Sequence, residues 1–155
     1  MRNVRRLEKY EGLFKRFTES AHPLSQKPIF PMLRDFLCFL AVLGFHKGER
    51  TPLEGKTIEL DGRVFDNSEQ ARDVVYLVAL AGTRDANILH PEREDEMVRV
   101  FEEYATAGFG VIDQWLKACP DDHIGDQAIL TALRRDGFFG PQPSKLEDVL
   151  RDVKF

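Results

Sequence analysis

The sequence predicts a mainly α fold of the α+β kind: a compact helical domain carrying a small β-hairpin, followed by a C-terminal amphipathic helix. Three observations carry this expectation. Apolar residues recur at helical spacing in several long segments, Asp61-Gly62 separates two short β-prone runs, and a Gly/Pro spacer sets the last residues apart. At 155 residues with 43% hydrophobic content, the chain is long enough for one core. Residues 1–136 are therefore expected to form a single domain, and 137–155 a spacer with a short helix.

Val4, Leu7, Tyr10, Leu13, Phe14 and Phe17 are spaced to form one buried stripe, which predicts a helix over 3–19. His22-Pro23 and Lys27-Pro28 break it. Pro31 suits a first helical turn, and the apolar run from Met32 to Leu43 covers nearly the whole helical circumference, so this segment is expected to be the central buried helix. After Gly48 and Pro52, Thr57–Leu60 and Arg63–Phe65 flank Asp61-Gly62, the dipeptide favoured in type I′ turns, which predicts a hairpin near 57–65. Asn67 or Ser68 can cap the next helix, with Gly82 at its end.

Pro91, Glu92, Glu94, Asp95 and Glu96 place negative charge where a helix N-terminus favours it, and Met97, Val100, Phe101, Tyr104 and Ala105 would be its buried positions. Gly108 or Gly110 is expected to bend the chain before Val111, Ile112, Trp115 and Leu116 resume helical packing. Asp126 could cap a short helix bearing Ile129, Leu130 and Leu133. Beyond Gly137, Gly140, Pro141 and Pro143, Ser144-Lys145-Leu146-Glu147 has capping-box form, and Leu146, Val149, Leu150 and Val153 lie at i, i+3, i+4 and i+7. This helix could pack on its own domain or serve as a partner-binding or dimerising tail.

Composition excludes several classes. With 22 basic and 26 acidic side chains the net charge is −4, unlike a protein that coats nucleic acid indiscriminately. The charge is uneven, however: residues 1–50 carry net +5 and the remainder net −9. The longest apolar stretch, Phe36–Phe45, is about half the length needed to cross a bilayer, and no secretory signal opens the chain, so the cytoplasm is the expected location. Cys38 and Cys119 lack metal-ligand spacing and are read as reduced packing residues.

The sequence carries no diagnostic enzyme motif. His123 lies among Asp121, Asp122 and Asp126, a conceivable metal patch, but the cluster matches no fixed ligand pattern and reads first as a solvated loop whose aspartates start the next helix. His46 stands near Glu49. Glu102-Glu103 are adjacent on a helix, about 100° apart, and so do not converge as an acid/base pair must. Gly44 to Gly48, with Lys47 and Arg50 beside it, could form a phosphate nest or simply end a helix. Arg2, Arg5, Arg6, Lys9, Lys15 and Arg16 could form a basic helix face, with Arg34, Lys47 and Arg50 as neighbours after folding, able to contact DNA or RNA phosphates. Against this, Glu8, Glu11 and Glu19 suit an ordinary solvated helix.

Pro28-Ile29-Phe30-Pro31-Met32-Leu33-Arg34-Asp35-Phe36-Leu37-Cys38-Phe39 with its continuation to Phe45, Gly48-Glu49-Arg50-Thr51-Pro52-Leu53, and Phe101-Glu102-Glu103-Tyr104-Ala105-Thr106-Ala107-Gly108-Phe109 together resemble the Dnd system-associated protein 4 family. The resemblance runs over roughly residues 4–118. It implies a small accessory of DNA phosphorothioation, in which bacteria replace a backbone phosphate oxygen by sulfur and use the mark in defence against foreign DNA. It supplies no catalytic residue.

The expected function is thus a non-enzymatic accessory of a DNA phosphorothioation, restriction and phage-defence system, with no cofactor. It would act through DNA contact at Arg2, Arg5, Arg6, Lys9, Arg16, Arg34, Lys47 and Arg50, through partner proteins of the phosphorothioation machinery, or both. The alternative is a pure protein-interaction module or homodimer. A metal-dependent enzyme using His123 and its aspartates comes third, because no motif supports it.

Overall fold

The computed structural model describes residues 1–140. Its order is β1 (Val4–Leu7), α1 (Glu11–Thr18), α2 (Leu33–Lys47), β2 (Thr57–Leu60), α3 (Arg63–Asp66), α4 (Glu69–Thr83), α5 (Glu94–Ala118) and α6 (Asp126–Arg135), with short 3₁₀ turns before α1 and α5. The mainly α, α+β expectation holds. The predicted C-terminal helix lies outside the described residues.

The centre of the molecule is α5, a 25-residue helix with fifteen buried positions that include all of Tyr104–Phe109. It packs antiparallel on α2, and glycines set their separation. A Cβ on Gly44 would lie 2.1 Å from the Tyr104 carbonyl oxygen, and one on Gly108 would lie 2.1 Å from that of Leu40. Gly108 therefore does not bend α5, which runs unbroken. It lets two backbones meet. The fully apolar look of α2 placed that helix at the centre, but it shares that role with α5 and exposes Asp35, Val42, Phe45 and His46. Phe36 anchors the pair in an aromatic cluster with Phe14, Phe17, Phe30 and Phe109, at ring centroid separations of 4.8–5.8 Å from it.

Two expectations at the β elements fail for one reason. The helix predicted over 3–19 begins only at Glu11, because Val4–Leu7 is a strand, and the partner of Thr57–Leu60 is that strand rather than Arg63–Phe65. The ribbon is antiparallel, with Val4 opposite Leu60 and Arg6 opposite Ile58. Gly62 takes helical φ and ψ instead of a type I′ turn, and it is pressed so closely on Met1 that a Cβ would meet the Met1 carbonyl oxygen at 2.1 Å. The Asp61 carboxylate accepts the Arg63 N–H at 2.9 Å, an Asx turn that starts α3 and buries Phe65 edge-on to Phe101. A two-stranded ribbon is marginal alone, and here it lies along α5.

The remaining caps follow local chemistry with two changes. Ser68 accepts the Ala71 N–H and starts α4 as expected, but α4 passes Gly82 and ends at Arg84, a left-handed residue at φ +55. Gly82 instead leaves room for the Tyr104 ring. For α6, Asp122 rather than Asp126 supplies the cap: its carboxylate accepts the N–H groups of Gly125 and Ala128, both at 2.8 Å. Among the described residues, no helix is long and apolar enough to cross a membrane.

Candidate functional site

The ribbon meets α5 through a buried charge. Position 102 of α5 faces β1, and the Glu102 side chain is wholly buried beneath it. Arg2 grips both carboxylate oxygens, Nη1 to Oε1 at 2.7 Å and Nη2 to Oε2 at 3.1 Å. Arg5 donates its backbone N–H to Oε1 at 2.7 Å and its Nη2 to Oε2 at 3.0 Å. Two guanidiniums and an amide thus satisfy one carboxylate, the arrangement a buried charge needs. These hydrogen bonds to Glu102, with its charge, raise the Arg5 pKa above the ordinary guanidinium range. The Arg2 Nε also lies 3.1 Å from Asp95.

The other basic residues singled out in the sequence do not gather on one face. Arg6 is buried, pairs with Glu11 and stacks on the Phe14 ring. Arg16 donates to the backbone carbonyls of Asp122 and His123. Arg34 lies 3.4 Å from an Asp35 oxygen and donates to the Val64 carbonyl. Lys47 bonds Asp136 at 2.5 Å, and Arg50 pairs with Glu103. Lys9 sits over the Tyr10 ring, 5.0 Å from its centroid. One cation was missed: exposed Arg99 joins Arg2, Asn3, Arg5, Glu59 and Asp95 around a surface depression of about 510 Å³. Its signal in the sequence was its position, one helical turn before Glu102 on α5.

Two groups suited to acid/base or metal chemistry, His22 and Asp122, are engaged in holding the fold. His22 Nδ1 accepts the Leu24 N–H at 3.1 Å while Nε2 lies 3.0 Å from Asp126 Oδ2, so both ring nitrogens are committed. Burial works to raise the Asp122 pKa, but N–H donors from Gly125, Ala128 and Ile124 outweigh it and hold the carboxyl below its usual range. His123 is exposed. Among the described residues, no three His, Cys, Asp or Glu side chains are placed to hold a metal ion. Glu102 and Glu103 diverge to different arginines, as their helical spacing requires. The Gly44–Gly48 segment is a helix end: the Gly48 and Glu49 N–H groups turn inward to Phe45 and Gly44 rather than outward to an anion.

The cysteines differ. Burial, with Asp35 nearby, pushes the Cys38 thiol up to about 12, and it sits 3.9 Å from the Ala71 carbonyl oxygen as a packing residue. Cys119 is half-buried on the wall of a cavity of about 760 Å³ that also includes His22, His123 and Asp126.

Comparison with curated proteins returned no match, nor did comparison with solved structures. The family model for DNA sulphur modification system-associated protein 4 matches residues 3–146, which takes in β1, Arg5 and Glu102, the α2–α5 crossing and α6, and starts one residue after Arg2. With nearly the whole chain covered, this protein belongs to the DNA sulphur modification system-associated protein 4 family.

Proposed function

We propose that this chain serves DNA sulphur modification as a non-enzymatic adaptor that acts by contact with proteins of the modification machinery. Family membership supports the accessory role. The observation that carries the choice of protein over DNA is the internal pairing of the basic residues. Arg2, Arg5, Arg6, Arg34, Lys47 and Arg50 each already face a carboxylate of this chain. A DNA phosphate would have to displace those partners, and the net counterion release that drives binding would be small. The structural engagement of His22, Asp122 and Glu102 supports the non-enzymatic part. Cytoplasmic residence and service in restriction or phage defence belong to the same proposal.

A second reading, direct DNA contact, is favoured by one observation. Arg99 stands beside Arg2 and Arg5 on the rim of the 510 Å³ depression, and no carboxylate partner for it is found among the described residues. Both readings can be tested together. The purified chain is titrated with purified proteins of the modification machinery, and across a salt series with matched phosphorothioated and unmodified duplexes. The adaptor reading expects a stoichiometric protein complex and no duplex binding at low salt. Salt-steep duplex binding that R99E abolishes, without a protein complex, would replace it by the second reading.

A further inference from the structure

Leu24 stands in solvent at 90% exposure, on a loop that is closed on itself. The His22 N–H donates to the Lys27 carbonyl at 2.9 Å, the Gln26 N–H to the His22 carbonyl at 2.8 Å, and the Leu24 N–H to His22 Nδ1 at 3.1 Å. His22 Nε2, 3.0 Å from Asp126 Oδ2, ties this closed loop to the first turn of α6. A leucine held out in this way has little freedom left to lose on binding, which is what an anchor residue needs.

Leu24 forms part of the wall of the 760 Å³ cavity, whose apolar surface also includes Ala118, Pro120 and Ile124. A second hollow, of about 390 Å³, lies between α6, α2 and the segment before α2. Ile129, Leu130 and Leu133 line it together with Ile29, Phe30 and Phe39, and Asp126 is the only polar residue on its wall. Asp126 belongs to both walls, so the two hollows meet at the start of α6 as one groove. From Asp126 to Leu133 the groove follows α6 for about 10 Å, the length of about three residues of extended chain.

The charge on the groove selects its occupant. Asp121, Asp122 and Asp126 line it, and no lysine or arginine does. Asp122 is engaged by the Gly125 and Ala128 N–H groups and Asp126 by His22, whereas Asp121 is exposed and has no side-chain partner among the described residues. Such a surface repels phosphates and attracts Lys or Arg, while the hollow beside Leu130 and Leu133 takes an apolar side chain.

We propose that this groove receives a basic, apolar peptide segment of a partner protein. An apolar side chain of that segment fills the hollow beside Ile129, Leu130 and Leu133, and a Lys or Arg about three residues along the segment lies beside Asp121 and Asp126. The inference rests on the adaptor reading and names the surface that reading would use.

The test selects from a library of random peptides, long enough to span the groove, on the full-length chain. The expected winners carry an apolar residue about three positions from a Lys or Arg. A synthetic copy of a winner, followed by fluorescence anisotropy, should lose affinity about tenfold or more in Leu24→Ser and in Asp121→Lys, and should bind more weakly as salt rises. Both residues are exposed, so these replacements leave the core alone. A photoreactive group in place of the winner's apolar residue should cross-link to α6 or to Ile29–Phe30. Failure to enrich any peptide would overturn the proposal, as would winners without Lys or Arg, or binding unaffected by both variants. Displacement of the peptide at raised protein concentration would also overturn it, by giving the groove to a second copy. The selection uses no modification protein, so its outcome is separate from that of the adaptor reading. Peptide binding without any complex with the modification machinery would sink that reading alone, and a complex that survives both variants would sink this docking site alone.

Discussion

The Glu102 knot makes two arginines structural. The carboxylate is fully buried, while Arg2 and Arg5 remain 23% and 40% exposed, so removing the cations costs more than removing the anion. Replacing both arginines by alanine leaves a desolvated charge with only the residue 5 backbone N–H to satisfy it. We expect R2A/R5A to lose about 3–5 kcal/mol in urea unfolding, with part of the loss recovered by adding Glu102→Leu, which removes the stranded charge. A double variant as stable as the parent chain would show that Glu102 is satisfied in some other way. Charge reversal at Arg5 would therefore report folding before it reported any phosphate contact, whereas exposed Arg99 carries no such burden.

At the scale of elements, the α2–α5 crossing rests on the absence of two side chains. Gly108→Ala must push the helices apart, because its Cβ would collide with backbone atoms of Leu40 that cannot rotate away. The expected cost is about 3 kcal/mol or more, seen as a lowered thermal midpoint. Gly12→Ala is the control: its Cβ would meet nothing within 4 Å, and in α1 it should stabilise by about 0.5–1 kcal/mol. The start of α6 is pH-sensitive through Asp122. Its pKa is lower in the folded than in the unfolded chain, so its stabilisation is fully present above the unfolded value near 4 and is lost as pH falls through the folded value. Asp122→Asn, whose amide nitrogen cannot accept one of the two N–H groups, should cost about 1 kcal/mol at neutral pH, and the gap from the parent chain should narrow in acid melts. A gap constant from about pH 7 to about pH 3 would remove the charge from the account.

For the molecule as a whole, the helical segments were legible because their signals are local. Ser68 could be read as a cap from its side chain, and the acidic first turn of α5 from the amides it faces. The strand at Val4–Leu7 was not, since Val4, Leu7 and Tyr10 are spaced three apart and satisfy a helical stripe equally well. What selected the strand was Thr57–Leu60, about fifty residues away. The basic set was legible as residues but not as a site. Its partners Asp95, Glu102, Glu103 and Asp136 lie in the acidic remainder of the chain, and only folding brings them to Arg2, Arg5, Arg50 and Lys47.

The sequence by itself determined the helical class, most helix positions and the family resemblance, because periodicity, caps and motifs are properties of neighbouring residues. The tertiary structure alone decided that α5 joins α2 at the centre, that the ribbon pairs residues 4–7 with 57–60, and that the N-terminal cations are spent on carboxylates of the same chain. Each of these depends on which distant backbone or charge comes within a few ångströms, and spacing along the chain carries no measure of that distance.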